Sequence, residues 1–268
     1  NEDQTINALG LVSTRASGIK SQFGTMGKPF HAGMAASNGI EAAKLSKLGF
    51  VSKEDGIECE QGFFLTHGWD KKIPPRAIEN LGTDFLFPEI KYKFHACCHG
   101  LHSFLEALDE MKLENNFNPE TIEEIAIETN PSWLKVCNIE EPKTGLESKF
   151  SYKLTAAMSI YGKDTSDLDT YSDEICFDDN LNNIRDKVRV IPNDNLSNTQ
   201  SLISIKDGSS NVKNKHDLSD KIENNILETK IVNKSVSLLS ETKSNQISKI
   251  LNAPNENKVD ALVDCLVS

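Results

Sequence analysis

The chain has 268 residues, 38% of them hydrophobic and 26% charged, long enough for one large domain or two ordinary ones with a real core. Its 29 Lys and Arg stand against 40 Asp and Glu, a formal net charge of −11. This excludes a broad nucleic-acid binder, which needs basic surface to neutralise phosphates, and no apolar run approaches the roughly 18 residues that suggest a membrane span. A small anionic substrate remains compatible, because a local cluster of Lys and His sets the field inside a pocket. The six cysteines (Cys59, Cys97, Cys98, Cys137, Cys176 and Cys265) show no C-x-x-C pair or regular spacing. With no leader pattern at the start, we expect a reducing, cytoplasmic setting. Asn1 opens directly into helical spacing, so we expect a fragment, a processed product or one part of a split protein.

In chain order, residues 5–18 read as the end of a helix with small residues for close packing (Ala8, Gly10, Ser13, Ala16, Gly18). Gly24, Gly27 and Pro29 predict a loop over 19–30. Residues 31–48 read as a helix with an Ala- and Gly-rich face, capped by Gly49. Asp55 to Phe64 suggests a short helix ending near Gly68, and 70–92, with Pro74, Pro75 and Pro88, a loop-rich crossover. Leu101, Phe104, Leu105, Leu108 and Met111 predict a helix over about 98–113. Ile122, Ile125 and Ile127 suit a strand before the Asn130-Pro131 turn. Residues 148–161 return to helix. Val188, Val190 and Ile191 suggest a second strand, and Leu202, Ile203 and Ile205 a third, closed by Asp207-Gly208. Three helices over 217–239, 241–252 and 256–267 complete the chain. The expected class is α+β, a mostly helical domain interrupted by a smaller α+β unit.

Two segments concentrate reactive groups. Gly24-Thr-Met-Gly-Lys-Pro-Phe-His-Ala-Gly33 places Lys28 in a glycine-rich turn before a helix start. There, free backbone N–H groups and the helix dipole favour an anion, with His31 as donor or proton carrier. Alternatively the glycines shape a tight turn and Lys28 is solvated. Lys91-Tyr-Lys-Phe-His-Ala-Cys-Cys-His-Gly-Leu-His102 holds three of the six histidines. His95, His99 and His102 share one face if the helix begins early. A metal site using Cys97 or Cys98 is one reading, although no second ligand pair appears. Packing and capping histidines are another. A third is a cofactor-free pocket in which histidine takes a proton while lysine neutralises a carboxylate. His67 reads as a loop residue, Tyr152 as core, and Asp167, Asp169, Asp178 and Asp179 as solvated faces or caps.

These segments, in this order, resemble the MmgE/PrpD family, whose activities include 2-methylcitrate dehydratase, cis-aconitate decarboxylase and iminodisuccinate epimerase. The resemblance rests on Gly24 to Ala36, Gly62-Phe-Phe64, Lys93 to His102 and Glu147-Ser-Lys-Phe-Ser151, and covers roughly residues 8–215. It implies a helical domain (1–93 and 217–268) interrupted by an α+β lid (94–216), with a site in the cleft. It also implies no metal or other cofactor. Lys28 and Lys93 match the family's two pocket lysines and would bind substrate carboxylates. His31 would hold the first lysine's loop. His102, His99 and Cys98 are the catalytic candidates. Cys98 stands where the decarboxylase branch has a histidine, and Leu154 where that branch has a tyrosine. An N-terminal helical half carrying an Asp, a Thr and two histidines is absent. The expected activity is therefore a lyase, a dehydratase of a small di- or tricarboxylate, with an epimerase or a non-catalytic fragment as alternatives. The expected partners are a second copy in a homodimer or a separate N-terminal half, with no nucleic acid and no membrane.

Overall fold

The computed structural model describes residues 1–68, 80–208, 210–254 and 258–267. Pro74 and Pro75 of the expected crossover, and the first two residues of the helix expected over 256–267, lie outside them. The chain divides into two compact units, Asn1–Ile90 and Lys91–Ser268.

In the first unit, helix α1 (Glu2–Ser13) starts from a capping box. The Asn1 side chain accepts from Gln4 N–H, and the Gln4 side chain reaches back to the chain's first nitrogen. Helix α2 is Gly27–Lys47, so it begins four residues before the expected start. Proline lacks only an N–H that a first helical turn would leave unbonded, so Pro29 sits there without cost. The far end closes on Gly49 at φ +91°. Gly49 N–H donates to Ser46 O and Phe50 N–H to Leu45 O, two carbonyls the helix would otherwise orphan. Ser46 Oγ donates to Gln4 O at 2.6 Å and Ser52 Oγ to Asn7 O at 2.8 Å, tying α2 and the following loop to α1. Gly10 is required at this approach, since a Cβ there would lie 2.6 Å from Lys53 O. The helix expected over 55–64 is a series of turns leading to a single turn, α3 (Phe63–Thr66).

The second unit opens on a 3-10 turn, His99–Leu101, which feeds α4 (His102–Glu114). Strand β1 (Ile122–Thr129) and the short helices α5 (Pro131–Leu134) and α6 (Gly145–Ser148) follow. Ser151 then caps α7 (Tyr152–Ile160) by accepting from Leu154 N–H, which splits the helix expected over 148–161 in two. Helix α8 (Asp179–Arg185) is capped by Asp178, as its sequence reading allowed. Strands β2 (Val188–Pro192), β3 (Gln200–Asp207) and β4 (Ser210–Asp217) complete a sheet of order β2-β1-β3-β4. β1 is parallel to β2 and antiparallel to β3, and β4 is antiparallel to β3. Helices α9 (Asn224–Leu239), α10 (Glu241–Asn252) and α11 (Lys258–Val267) end the chain.

The α+β class follows from the packing. Ile125 and Ile127 of β1 and their partners Ile205 and Ile203 on β3 are fully buried, together with Leu101, Phe104, Leu105 and Leu108. Each such side chain contributes about 1.5–3 kcal/mol on leaving water. Tyr152, Leu154 and Met158 of α7 share this core. β4 was not expected from sequence. It is an edge strand with no apolar alternation, carrying Lys213 and Lys215, side chains that discourage edge-to-edge pairing. Asn214 and His216 of β4 reach α4, where His216 Nδ1 lies 2.8 Å from Glu110 Oε1. Among the described residues no helix is long and apolar enough to cross a membrane.

Candidate active site

The segment 91–102 reaches its place through backbone bonds on both sides. Ala96 N–H donates to Thr165 O at 2.8 Å and Cys98 N–H to Lys149 O at 2.9 Å. The 3-10 turn then needs Gly100. A Cβ there would lie 2.6 Å from the Trp133 ring and 2.8 Å from Cys137 Sγ. Tyr152 Oη donates to Gly100 O at 2.7 Å, so the buried phenol anchors this turn. Burial drives its pKa well above 10 and keeps it a donor.

The three imidazoles of this segment do come together. The His95 and His102 rings lie 5.2 Å apart and the His99 and His102 rings 5.4 Å. Their environments differ. His102 is 1% exposed, and its Nδ1 lies 3.1 Å from Cys98 O. A carbonyl only accepts, so Nδ1 carries the hydrogen and Nε2 holds a lone pair, buried and without a hydrogen-bond partner. Burial, reinforced by the nearby His95, pushes the His102 pKa down to about 2. His102 is thus neutral throughout the physiological range. His99 is half-buried, and burial followed by the charge of Lys93 lowers its pKa as well. At pH 7 it is a neutral imidazole at the edge of the unit, able to take up a proton.

His95 is held between two elements. Its Nδ1 lies 2.7 Å from Thr165 Oγ1, and its Nε2 faces Glu106 Oε1 at 3.2 Å, off the line of a straight hydrogen bond. The other Glu106 oxygen pairs with Lys230 of α9. Burial raises the Glu106 pKa, but the bonds from His95 and Lys230 outweigh it and hold the carboxyl down at about 2. Neither Glu106 nor Lys230 was singled out in the sequence. The signal was present, since Glu106 interrupts an apolar stretch (Phe104, Leu105, Ala107, Leu108) one helical turn after His102.

Cys98 is buried against Cys137. The bond to Cys98, then burial, pushes the Cys137 thiol far above the usual thiol range. Burial pushes Cys97 up to about 12. Both are protonated and unreactive as placed. Lys93 is exposed, two residues before His95. Among the described residues no three His, Cys, Asp or Glu side chains are grouped to hold a metal ion. Tyr152 is fully buried, as expected of a core residue, and so is Leu154.

Lys28 and His31 belong to the first unit. Lys28 lies within the first turn of α2, a correction to its expected place in a loop ahead of the helix. Its N–H donates to Thr25 O, and its Nζ lies 5.5 Å from the centre of the Phe23 ring. The N–H row proposed for an anion is therefore partly used by the turn itself. Half-buried, His31 packs beside Gly18 and lines a 480 Å³ pocket with Leu9, Val12, Ala35, Asn38 and Phe63.

The model of the MmgE/PrpD C-terminal domain matches residues 95–253, and that of the MmgE/PrpD N-terminal domain matches residues 1–75. The chain belongs to the MmgE/PrpD family, a family of dehydratase and lyase type. It is 32% identical over 122 residues to a cis-aconitate decarboxylase-like protein, oryM, of Aspergillus oryzae, covering 43% of this chain and 25% of that relative. It is 27% identical over 194 residues to a cis-aconitate decarboxylase of Aspergillus terreus, covering 67% of this chain and 39% of the relative. The chain thus spans between 25% and 39% of the length of these curated relatives.

Proposed function

We propose that this chain is part of a cofactor-free lyase, a dehydratase that removes a proton next to a carboxylate of a small di- or tricarboxylate. The observation that carries this reading is the pairing of a neutral, half-buried His99 with the nearby charge of Lys93. Lys93 binds one substrate carboxylate and Lys28 another. His99 takes the proton from the carbon, and negative charge builds up on the adjacent carboxylate. The ammonium groups stabilise that charge more in the transition state than in the ground state. The carbon–oxygen bond of the β-hydroxyl then breaks as the protonated His99 returns its proton to the departing oxygen, and water leaves. His102 and Cys98 hold the turn that aims His99, and His31 supports the helix start that carries Lys28. A second copy of the chain covers the exposed Phe30, Leu48, Phe50 and Val51 of the first unit.

A second reading is decarboxylation, favoured by the names of the two relatives. Epimerisation begins with the same proton removal. The test follows a panel of citrate-like acids by proton NMR in heavy water. Dehydration yields an alkene, decarboxylation yields carbon dioxide, and epimerisation yields deuterium at the substrate carbon without net loss. Lys28→Ala and Lys93→Ala should each lower kcat/KM about 30-fold or more, the worth of a charge-assisted bond. A chelator should leave the rate unchanged. Equal rates in the wild type and both alanine variants reject the assignment.

A further inference from the structure

Resting on the reading above that Lys93 binds a carboxylate, we propose that Lys149 and Lys234 complete a three-ammonium cradle around Lys93, a polyanion site contained entirely within the second unit. The three separate segments that carry these lysines meet at the loop of residues 164–171. Lys93 lies two residues before His95, whose Nδ1 is 2.7 Å from Thr165 Oγ1. Lys149 follows α6; its carbonyl accepts from Cys98 N–H, and its Nζ lies 5.5 Å from the centre of the Tyr171 ring. The Tyr171 hydroxyl donates to Thr165 O at 2.9 Å. Lys234, one turn beyond Lys230 on α9, donates from Nζ to Ser166 O at 2.6 Å. The Thr165-Ser166 peptide is the common floor.

The three lysines form no ion pairs among the described residues, although Asp164 and Asp167 flank this floor. Among the described residues, none of the three ammonium groups has a carboxylate within ion-pair distance. Lys230, on the same helix, is paired with Glu106 and does not contribute. Asp164 and Asp167 act on Lys234 only from beyond that distance. Lys149 and Lys234 are both half-buried, and burial lowers their pKa values, with Lys93 adding repulsion at Lys234. A bound polycarboxylate would remove that repulsion, so the cradle favours a ligand with several negative charges over one with a single charge.

The test is calorimetric titration of the full chain with citrate, alongside the turnover assay. Lys149→Ala and Lys234→Ala should each weaken citrate binding at least fivefold, while Lys149→Arg and Lys234→Arg retain it within about twofold. Lys206→Ala, which removes an equal charge from the Glu123 pair on the sheet, should have no effect. Alanine variants that melt like the wild type and bind citrate unchanged, beside a weakened Lys93→Ala, overturn the cradle and leave the lyase reading standing. Weakening in Lys149→Ala and Lys234→Ala beside unaltered turnover in Lys93→Ala supports the cradle and removes the lyase reading. A wild type that binds no citrate overturns both. If an alanine variant fails to fold, the arginine variant decides, since loss of citrate binding in a folded arginine variant also overturns the cradle.

Discussion

Replacing Glu106 with glutamine probes the clamp beneath the imidazoles. Its carboxyl is held at about 2, against an ordinary value of 4.5. That depression corresponds to roughly 3 kcal/mol of stability at neutral pH, an upper figure because Lys230 is about a third exposed. The folded value is depressed, so the contribution is fully present above 4.5 and is lost as pH falls toward 2. Less than half of it should remain at pH 3. Because Lys230 docks α9, the effect should appear first as local opening of that helix. Hydrogen exchange at the α9 amides reads it directly. At pH 7, Glu106→Gln should speed exchange over Asn224–Leu239 by about ten- to a hundredfold, with little change in β1 and β3. Urea unfolding at pH 7 and pH 3 should show the variant's deficit shrinking with acid. Unaltered α9 exchange, or a deficit independent of pH, would refute the clamp.

Three further outcomes follow from the same geometry. Gly100→Ala should destabilise the second unit by about 1–3 kcal/mol, because its methyl group meets Trp133 and Cys137. An unchanged near-ultraviolet tryptophan signal and melting temperature would contradict that. Iodoacetamide at pH 8 should label the partly exposed Cys59 and Cys265 well before Cys97, Cys98 and Cys137, as read by peptide mass spectrometry. Equal labelling before unfolding would mean the buried thiols are not held as described. Turnover should stay level below pH 6.5, since a lowered His99 pKa keeps the neutral base populated further into acid. An acid limb rising above 6.5, or one unaffected by His99→Gln, would assign the base elsewhere.

Much of the second unit could be read from apolar spacing. β1, β2, β3 and α4 carry regular Ile, Val and Leu, and the Asp207-Gly208 turn closes a hairpin whose second arm was missed. That arm, β4, has Val212 as its only aliphatic residue, because an edge strand facing water needs none. The start of α2 was misplaced because Pro29 reads as a breaker anywhere except the first turn of a helix. In the site, local clustering made the histidines visible. Their partners were not, because Glu106 and Thr165 reach His95, and Lys230 reaches Glu106, only through tertiary packing. Lys234 was hidden because an isolated lysine on a polar helix looks solvated until its surroundings are known, whereas Lys149 stood in the Glu147–Ser151 motif without an assigned role.

The parallel pairing of β1 with β2 has a consequence for how the molecule is made. Parallel neighbours need a long crossover, and here the excursion from Thr129 to Val188 carries Lys149, Thr165, Ser166 and Tyr171. During synthesis the histidine-rich segment leaves the ribosome first, the crossover later, and α9 later still. Until residue 234 has emerged, His95, His99 and His102 lack their lysine-bearing cover. A product ending before residue 234 therefore carries the imidazoles without Lys234, and lacks one arm of the proposed anion cradle.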